Sequence, residues 1–207
     1  MSTMASEIPT TLRTERLKLR MVNPDSLSDL QELIGLYTAY HTRSGGATPS
    51  IANMDDIRLK HELMGPRAEF CTLTPPPKGM FHLIYLLDGD TPIGHIAFSF
   101  RSEMPCPDVG YAILPSHEGR GYASEAGREV VRFWQDVIGV KEIFIGTSHK
   151  NLASQGVARR MGFVEGGSFE VVFGLPPNER SEQAKAFVLP GMKWPSGQVL
   201  RHTLRRK

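Results

Sequence analysis

The chain has 207 residues, 40% of them hydrophobic and 22% charged, with a formal net charge of +2. A chain of that length buries a real core but divides poorly into two domains, and its ordinary composition excludes a disordered or fibrous protein. The near-neutral balance supplies no field that would demand nucleic acid or an anionic membrane as partner.

Residues 1–11 read as a loose polar leader with no apolar signal-like core. No window approaches the uninterrupted apolar run of a membrane span, so a soluble, unexported protein is expected. Leu12, Leu17, Leu19 and Met21 then alternate as in a strand. After the Asn23-Pro24-Asp25 turn, Leu27, Leu30, Leu33, Ile34, Tyr37 and Tyr40 recur at helical spacing, with the aromatics read as core. Thr42 to Ser50 reads as a loop, and Asn53 is placed to cap a second helix running through Met64. Gly65 to Lys78, with Pro75-Pro76-Pro77, is a long irregular segment that is either a substrate contact or a passive linker.

Met80 to Leu87 and Ile93 to Phe100 are β-rich runs joined by Asp88-Gly89-Asp90, and a third strand runs from Asp108 to Leu114. Three strands so closely connected predict an antiparallel meander. Ala123 to Val137 follows as an amphipathic helix whose buried stripe is Ala126, Val130, Phe133, Trp134 and Val137. Val140 to Ile145 is read as a strand, and Asn151 to Met161 as a helix stopped by Gly162 in a left-handed cap. Phe163 to Phe173 and Ala184 to Leu189 complete a set of about seven strands and four helices, in a domain spanning residues 12–190. Residues 191–207 form a basic C-terminal extension, whose Arg201 to Lys207 tail is read as a solvated terminus rather than a nucleic-acid contact. Cys71 and Cys106 form no C-x-x-C pair and cannot build a disulfide framework, which fits a reducing, cytoplasmic setting.

Chemistry concentrates in Asp108-Val-Gly-Tyr-Ala-Ile-Leu-Pro-Ser-His-Glu-Gly-Arg-Gly-Tyr-Ala-Ser-Glu-Ala126, a strand, a glycine turn and a helix start. Gly119 and Gly121 let the chain curl around an anion, and the helix beginning near Tyr122 adds unpaired amides and the positive end of its dipole. The ligand suited to such a turn is a phosphate or pyrophosphate, although a G-x-G turn before a helix also serves structure alone. A Rossmann fingerprint would want Gly or Ala where Ser124 stands, and no P-loop pattern is present.

The turn Gly119-Arg120-Gly121-Tyr122-Ala123, with Glu125-Ala126 after it, resembles motif A of the GNAT superfamily. Asn151-Leu-Ala-Ser154-Gln-Gly-Val157-Ala-Arg-Arg160-Met-Gly162-Phe163 resembles motif B of the branch that includes the ribosomal-protein N-terminal acetyltransferases, and Thr14-Glu15-Arg16-Leu17-Lys-Leu-Arg20 resembles that branch's first strand. Two departures stand out: Ser116 occupies a place usually held by Gln or Arg, and Glu118 sits beside the anion turn. The resemblance implies a mixed α/β GNAT fold, with a mostly antiparallel sheet whose strands splay at an acyl-CoA site. It also implies an acetyl-CoA-dependent N-acetyltransferase acting on a small-molecule amine or a protein N-terminus, as a monomer or homodimer. A non-catalytic acyl-CoA-binding module of the same fold is the alternative.

By the same resemblance the open edge of the key strand, at Ala112, Ile113 and Leu114, holds the pantetheine arm, Gly119 to Ala123 hold the diphosphate, and Asn151 contacts the pantetheine. Ser154 is assigned to protonate the departing thiolate, the alternative being a hydroxyl bonded to its own helix. Asp108 is assigned as the base that deprotonates the amine. Aspartates ordinarily titrate near about 4, so this role needs a raised value or a water relay. His82, His95, His117 and His149 could titrate in a useful range, but none has a partner spacing that marks a triad or a metal cluster, and no metal is expected.

Overall fold

The computed structural model describes residues 8–44, 51–89, 91–174 and 176–202. Most of the expected leader, the greater part of the 42–50 loop and residues 203–207 of the basic tail lie outside them.

The first alternating run folds as two strands rather than one, β1 (Thr11–Arg13) and β2 (Leu17–Met21). Between them the Thr14 N–H donates to Leu17 O at 2.9 Å and turns the chain. Helix α1 (Leu27–Ser44) continues past Tyr40 into the segment read as a loop. Helix α2 (Met54–Met64) begins on Asn53, whose side chain accepts from the Asp56 N–H while Asp56 reaches back to the Asn53 N–H in a full capping box. Strands β3 (Phe81–Leu86), β4 (Pro92–Ser99) and β5 (Asp108–Ile113) form the expected meander.

Helix α3 (Tyr122–Phe133) passes into a π turn over Trp134–Ile138. The turn ends at Gly139, φ +83°, where a Cβ would lie 1.8 Å from Thr72 Oγ1. The Val140 N–H is spent on Trp134 O. Strand β6 therefore starts at Phe144 and runs to Ser148, later than the expected Val140 to Ile145. Val137 points outward, 43% exposed, because the π turn shifts the helical phase that would have buried it. Helix α4 (Leu152–Arg160) ends before Gly162, which has φ +96° as anticipated. Strands β7 (Val164–Phe173) and β8 (Arg180–Val188) follow. The sheet also runs past residue 190: β9 (Val199–His202) pairs in parallel with β7, and Leu200 is buried. The split first strand and β9 raise the expected seven strands to nine among the described residues, in the order β1-β2-β3-β4-β5-β6-β8-β7-β9.

Side-chain alternation along β3 and β4 separates two cores. Phe81, Leu83, Tyr85 and Ala97 pack with Leu30, Leu33 and Ile57 of α1 and α2. Ile84, Ile96 and Phe98 pack with Val130, Phe133 and Trp134 of the α3 segment. Trp134 is fully buried and stacks on Phe98 with ring centroids 4.6 Å apart. A third cluster, around Phe144, Phe169 and Trp194, lies on β6 to β9. Among the described residues no helix is long and apolar enough to cross a membrane.

The sheet is continuous except at one joint. Strands β4 and β5 pair from Gly94↔Ile113 to Ser99↔Asp108, whereas β5 and its parallel neighbour β6 are in register only at Asp108↔Phe144. Beyond that point β6 stays paired with β8 on its other edge but no longer with β5, leaving the edge of β5 open along most of its length.

Candidate active site

Backbone groups of a strand alternate between its two edges. The Leu114 N–H donates to Ile93 O at 2.8 Å, and a Cβ on Gly94 would meet Ala112 O at 2.4 Å, so Ala112 and Leu114 face β4. Of the three residues expected to present the open edge, Ile113 alone does so, and Tyr111 is the second. Consecutive residues cannot all present one edge, because alternation permits only every other one.

The anion turn follows directly. Gly119 and Gly121 have φ +74° and +83°, the left-handed region that favours glycine. Gly121 is the N-cap of α3 and makes no side-chain cap. Among the described residues, the amides of Gly119, Arg120, Gly121, Tyr122 and Ala123 donate to no other protein group. Five unspent donors at the positive end of a twelve-residue helix make this turn suited to an anion. Arg120 is exposed beside it and Glu118 points to solvent. Ser116 Oγ lies 2.9 Å from His117 Nδ1.

The turn is fastened from behind. Glu125, one turn into α3, accepts from Thr14 Oγ1 at 2.6 Å, from the Arg16 N–H at 3.0 Å and from Arg16 Nε at 2.7 Å. Arg16 also donates to Arg120 O at 3.1 Å and lies over the Tyr122 ring, 4.7 Å from its centroid. The Thr14–Arg16 segment that breaks the first strand is thus the strap of the glycine turn. Burial pushes the Glu125 carboxyl up, but the bonds from Thr14 and Arg16 outweigh it and leave it below the usual glutamate range. A carboxylate whose folded value is depressed contributes stability that is full above its unfolded value, about 4.3, and is lost on acidification through the folded value. Glu125→Gln is expected to lower Tm by about 2–4 °C at neutral pH, with the difference shrinking as the pH falls below about 4, read by thermal melts.

Across the open joint stands α4. Asn151 caps it, its Oδ1 accepting from the Ser154 N–H at 3.0 Å, which leaves the NH2 of the exposed Asn151 and one lone pair of Oδ1 for a ligand. Gln155 donates to Ser148 O and His149 O and fixes the corner between β6 and α4. The Ser154 hydroxyl is not turned back onto its own helix. It lies 2.9 Å from Tyr111 Oη, which is also 2.9 Å from Ser154 O. Burial raises the Tyr111 phenol, an effect that the bond to Ser154 and the charge of Arg160 oppose without cancelling.

The opposite face of β5 carries Asp108, whose Oδ1 accepts from Arg101 Nε at 2.8 Å. The carboxylate is engaged with a guanidinium, and a proton taken there would unpair that cation. Nearby on α2, burial and then Arg101 bring the Lys60 ammonium down to about 8, against smaller opposing effects of Asp108 and Asp56. His95 stacks on Tyr37, centroids 4.6 Å apart, with its Nδ1 buried and unpartnered. Burial pushes both His82 and His95 down to about 3. That removes these two from the histidines expected to titrate near neutrality. Among the described residues no group of His, Cys, Asp and Glu could hold a metal ion.

A family profile described as an acetyltransferase (GNAT) domain matches residues 16–164. The chain belongs to the GNAT acetyltransferases. An Aspergillus fumigatus protein named FsC-acetyl coenzyme A-N(2)-transacetylase is 28% identical to this GNAT chain over 96 residues, 46% of this chain and 40% of that protein. The match thus spans less than half of the curated relative. Ribosomal-protein-S5-alanine acetyltransferase from Vibrio fischeri has the same fold, with a TM-score of 0.62 at 15% identity, covering 90% of this chain and 100% of that one. RimL, a ribosomal L7/L12 alpha-N-protein acetyltransferase solved in complex with coenzyme A, gives a TM-score of 0.58 at 16% identity, covering 87% of this chain and 96% of its own. At these identities the likeness is one of fold.

Tyr111, Lys60 and the Glu125 strap are candidate site residues that the sequence alone does not single out. Only the strap left a trace in the sequence, since Thr14 and Arg16 belong to the first-strand resemblance.

Proposed function

We propose that this GNAT chain transfers the acetyl group of acetyl-CoA to a primary amine, by direct attack of the amine on the thioester. The observation that carries this reading is the row of unspent amides from Gly119 to Ala123, at the mouth of the gap between β5 and β6, with the Ser154 hydroxyl on the far wall. The amides hold the diphosphate. The open edge at Tyr111 and Ile113 aligns the pantetheine, and a backbone N–H of that edge faces the developing oxyanion. Asn151 contributes its NH2 to the same arm. Ser154 hands a proton to the departing thiolate. The acceptor is a small-molecule amine or a protein N-terminus, the second being favoured by the ribosomal-protein acetyltransferases among the structures of like fold. A cytoplasmic setting accords with the two free, buried cysteines.

Asp108 is retained as the proton acceptor, acting through water or on opening of its pair with Arg101. A second reading places this role on Lys60, because an amine brought down to about 8 is better matched to an ammonium than an ion-paired carboxylate. Asp108→Asn is expected to flatten the acidic limb of the kcat/KM pH profile while Lys60→Met preserves it. The reverse pattern moves the role to Lys60.

Calorimetry with CoA and acetyl-CoA, followed by thiol release in the presence of a panel of small amines and of peptides with free N-termini, tests the whole reading. Binding together with turnover of at least one acceptor is expected. Tight CoA binding with no acceptor turned over would make the chain a sensing module, and no binding by folded protein would overturn the reading.

A further inference from the structure

Tyr111 lies on the open edge of β5, and Ser154 lies 43 residues later on the first turn of α4. Their contact spans the gap between β5 and β6 and joins its two walls. One phenol oxygen sits 2.9 Å from two atoms of the same residue, Ser154 Oγ and Ser154 O. Each hydroxyl has a single proton to donate, so two arrangements fit the same heavy atoms. In the first, the Tyr111 proton goes to Ser154 O and the Ser154 proton points inward to Tyr111 Oη. In the second, the Tyr111 proton goes to Ser154 Oγ, and the Ser154 proton is free to point into the gap. Rotation of the two O–H bonds interconverts them without moving a heavy atom.

The chemistry selects between them. A thiolate leaving a thioester belongs to a thiol that titrates near about 8.5, as cysteine does. An unassisted aliphatic alcohol is a far weaker acid than such a thiol, and a serine that gave up its proton alone would be left as an alkoxide. A phenol, near about 10, is much closer in acidity to the thiol. We propose that Tyr111 is the proton source behind Ser154, and that the pair works as a two-step relay from phenol to serine hydroxyl to thiolate sulfur. This rests on the acetyl-transfer reading of the site.

The balance is complete. As the C–S bond breaks, the sulfur takes the Ser154 proton, Ser154 Oγ takes the Tyr111 proton, and the tyrosinate is reprotonated from solvent by a proton equivalent to the one the amine loses. Burial is the largest influence on the phenol and disfavours the transient tyrosinate, whereas the bond to Ser154 and then the charge of Arg160 on α4 favour it. Tyr111 acts through Ser154 and is a positioning and relay residue, whereas Ser154 meets the sulfur.

The test needs no acceptor. Protein labelled with 13C at tyrosine Cζ is titrated with pH alone, with CoA and with desulfo-CoA, and Tyr111→Phe identifies the resonance. CoA is expected to shift the Tyr111 titration, desulfo-CoA to leave it where it was, and Ser154→Ala to abolish the effect of CoA. If CoA binds by calorimetry and the tyrosine does not respond, the relay is overturned while the function reading stands. A response that survives Ser154→Ala overturns the route through serine. If CoA does not bind, both fall. With an acceptor in hand, Tyr111→Phe lowers kcat by about 10- to 100-fold with KM for acetyl-CoA unchanged, and adds nothing to Ser154→Ala. A purely structural tether would show the opposite: full additivity and no dependence on the sulfur.

Discussion

Ser154→Ala is expected to lower kcat by about 10²- to 10⁴-fold while KM for acetyl-CoA stays close to wild type, because proton delivery to the thiolate is needed only as the C–S bond breaks. The substitution is mild structurally. The Ser154 N–H still donates to Asn151 Oδ1, and Tyr111 can still donate to Ser154 O, so α4 keeps its cap and its tie to β5. The loss therefore reports chemistry rather than folding. Thiol release at saturating acetyl-CoA and acceptor measures it, and an unchanged kcat removes Ser154 from the mechanism. The thioester itself offers a second check: replacing CoA by a more acidic thiol leaving group should recover part of the lost rate, since a thiolate that leaves without help needs no proton.

Much of the candidate site's local geometry is legible in the sequence because its parts are close along the chain. The glycine turn, the helix start after it and the Asn151 to Ser154 spacing are set by residues within a few positions of one another, and backbone conformation there follows from residue type. The capping box on Asn53 and the left-handed Gly162 were readable for the same reason. What could not be read depends on distant parts of the chain meeting. Tyr111 and Ser154 are 43 residues apart, and nothing in either neighbourhood says that the sheet opens between them. Glu125 is an ordinary first-turn acid until Thr14 and Arg16, more than 100 residues earlier, close on it. The ion pair that engages Asp108, assigned from sequence as the base, is equally hidden, because Arg101 approaches it only once the loop after β4 has folded back. The late start of β6 and the exposure of Val137 share one cause, a π turn whose extra residue shifts the helical phase. Strand β9 was hidden because Val199–His202 is too short and basic to announce a strand without β7 beside it.

Gly121→Val is expected to raise the Kd for CoA by about 10- to 100-fold, with a far smaller effect on the stability of the fold. A Cβ at this position has room, its nearest neighbour being Arg16 at 3.5 Å, so crowding is not the cause. The fault lies in the backbone: φ is +83°, and a β-branched residue there is a steric outlier costing about 1–2 kcal/mol. The turn can escape that cost by changing conformation, which redirects the amides of residues 119–123. Each charge-assisted bond lost to the diphosphate removes about 1.5–3 kcal/mol of binding, which gives the expected range in Kd. Gly121→Asn is the discriminating control, because asparagine tolerates the left-handed region and should keep affinity within a few fold. Pantetheine, which has no diphosphate, should bind the Val variant and the wild type alike. If calorimetry finds CoA bound equally well by all three proteins, the diphosphate is held elsewhere and the glycine turn serves only to start the helix.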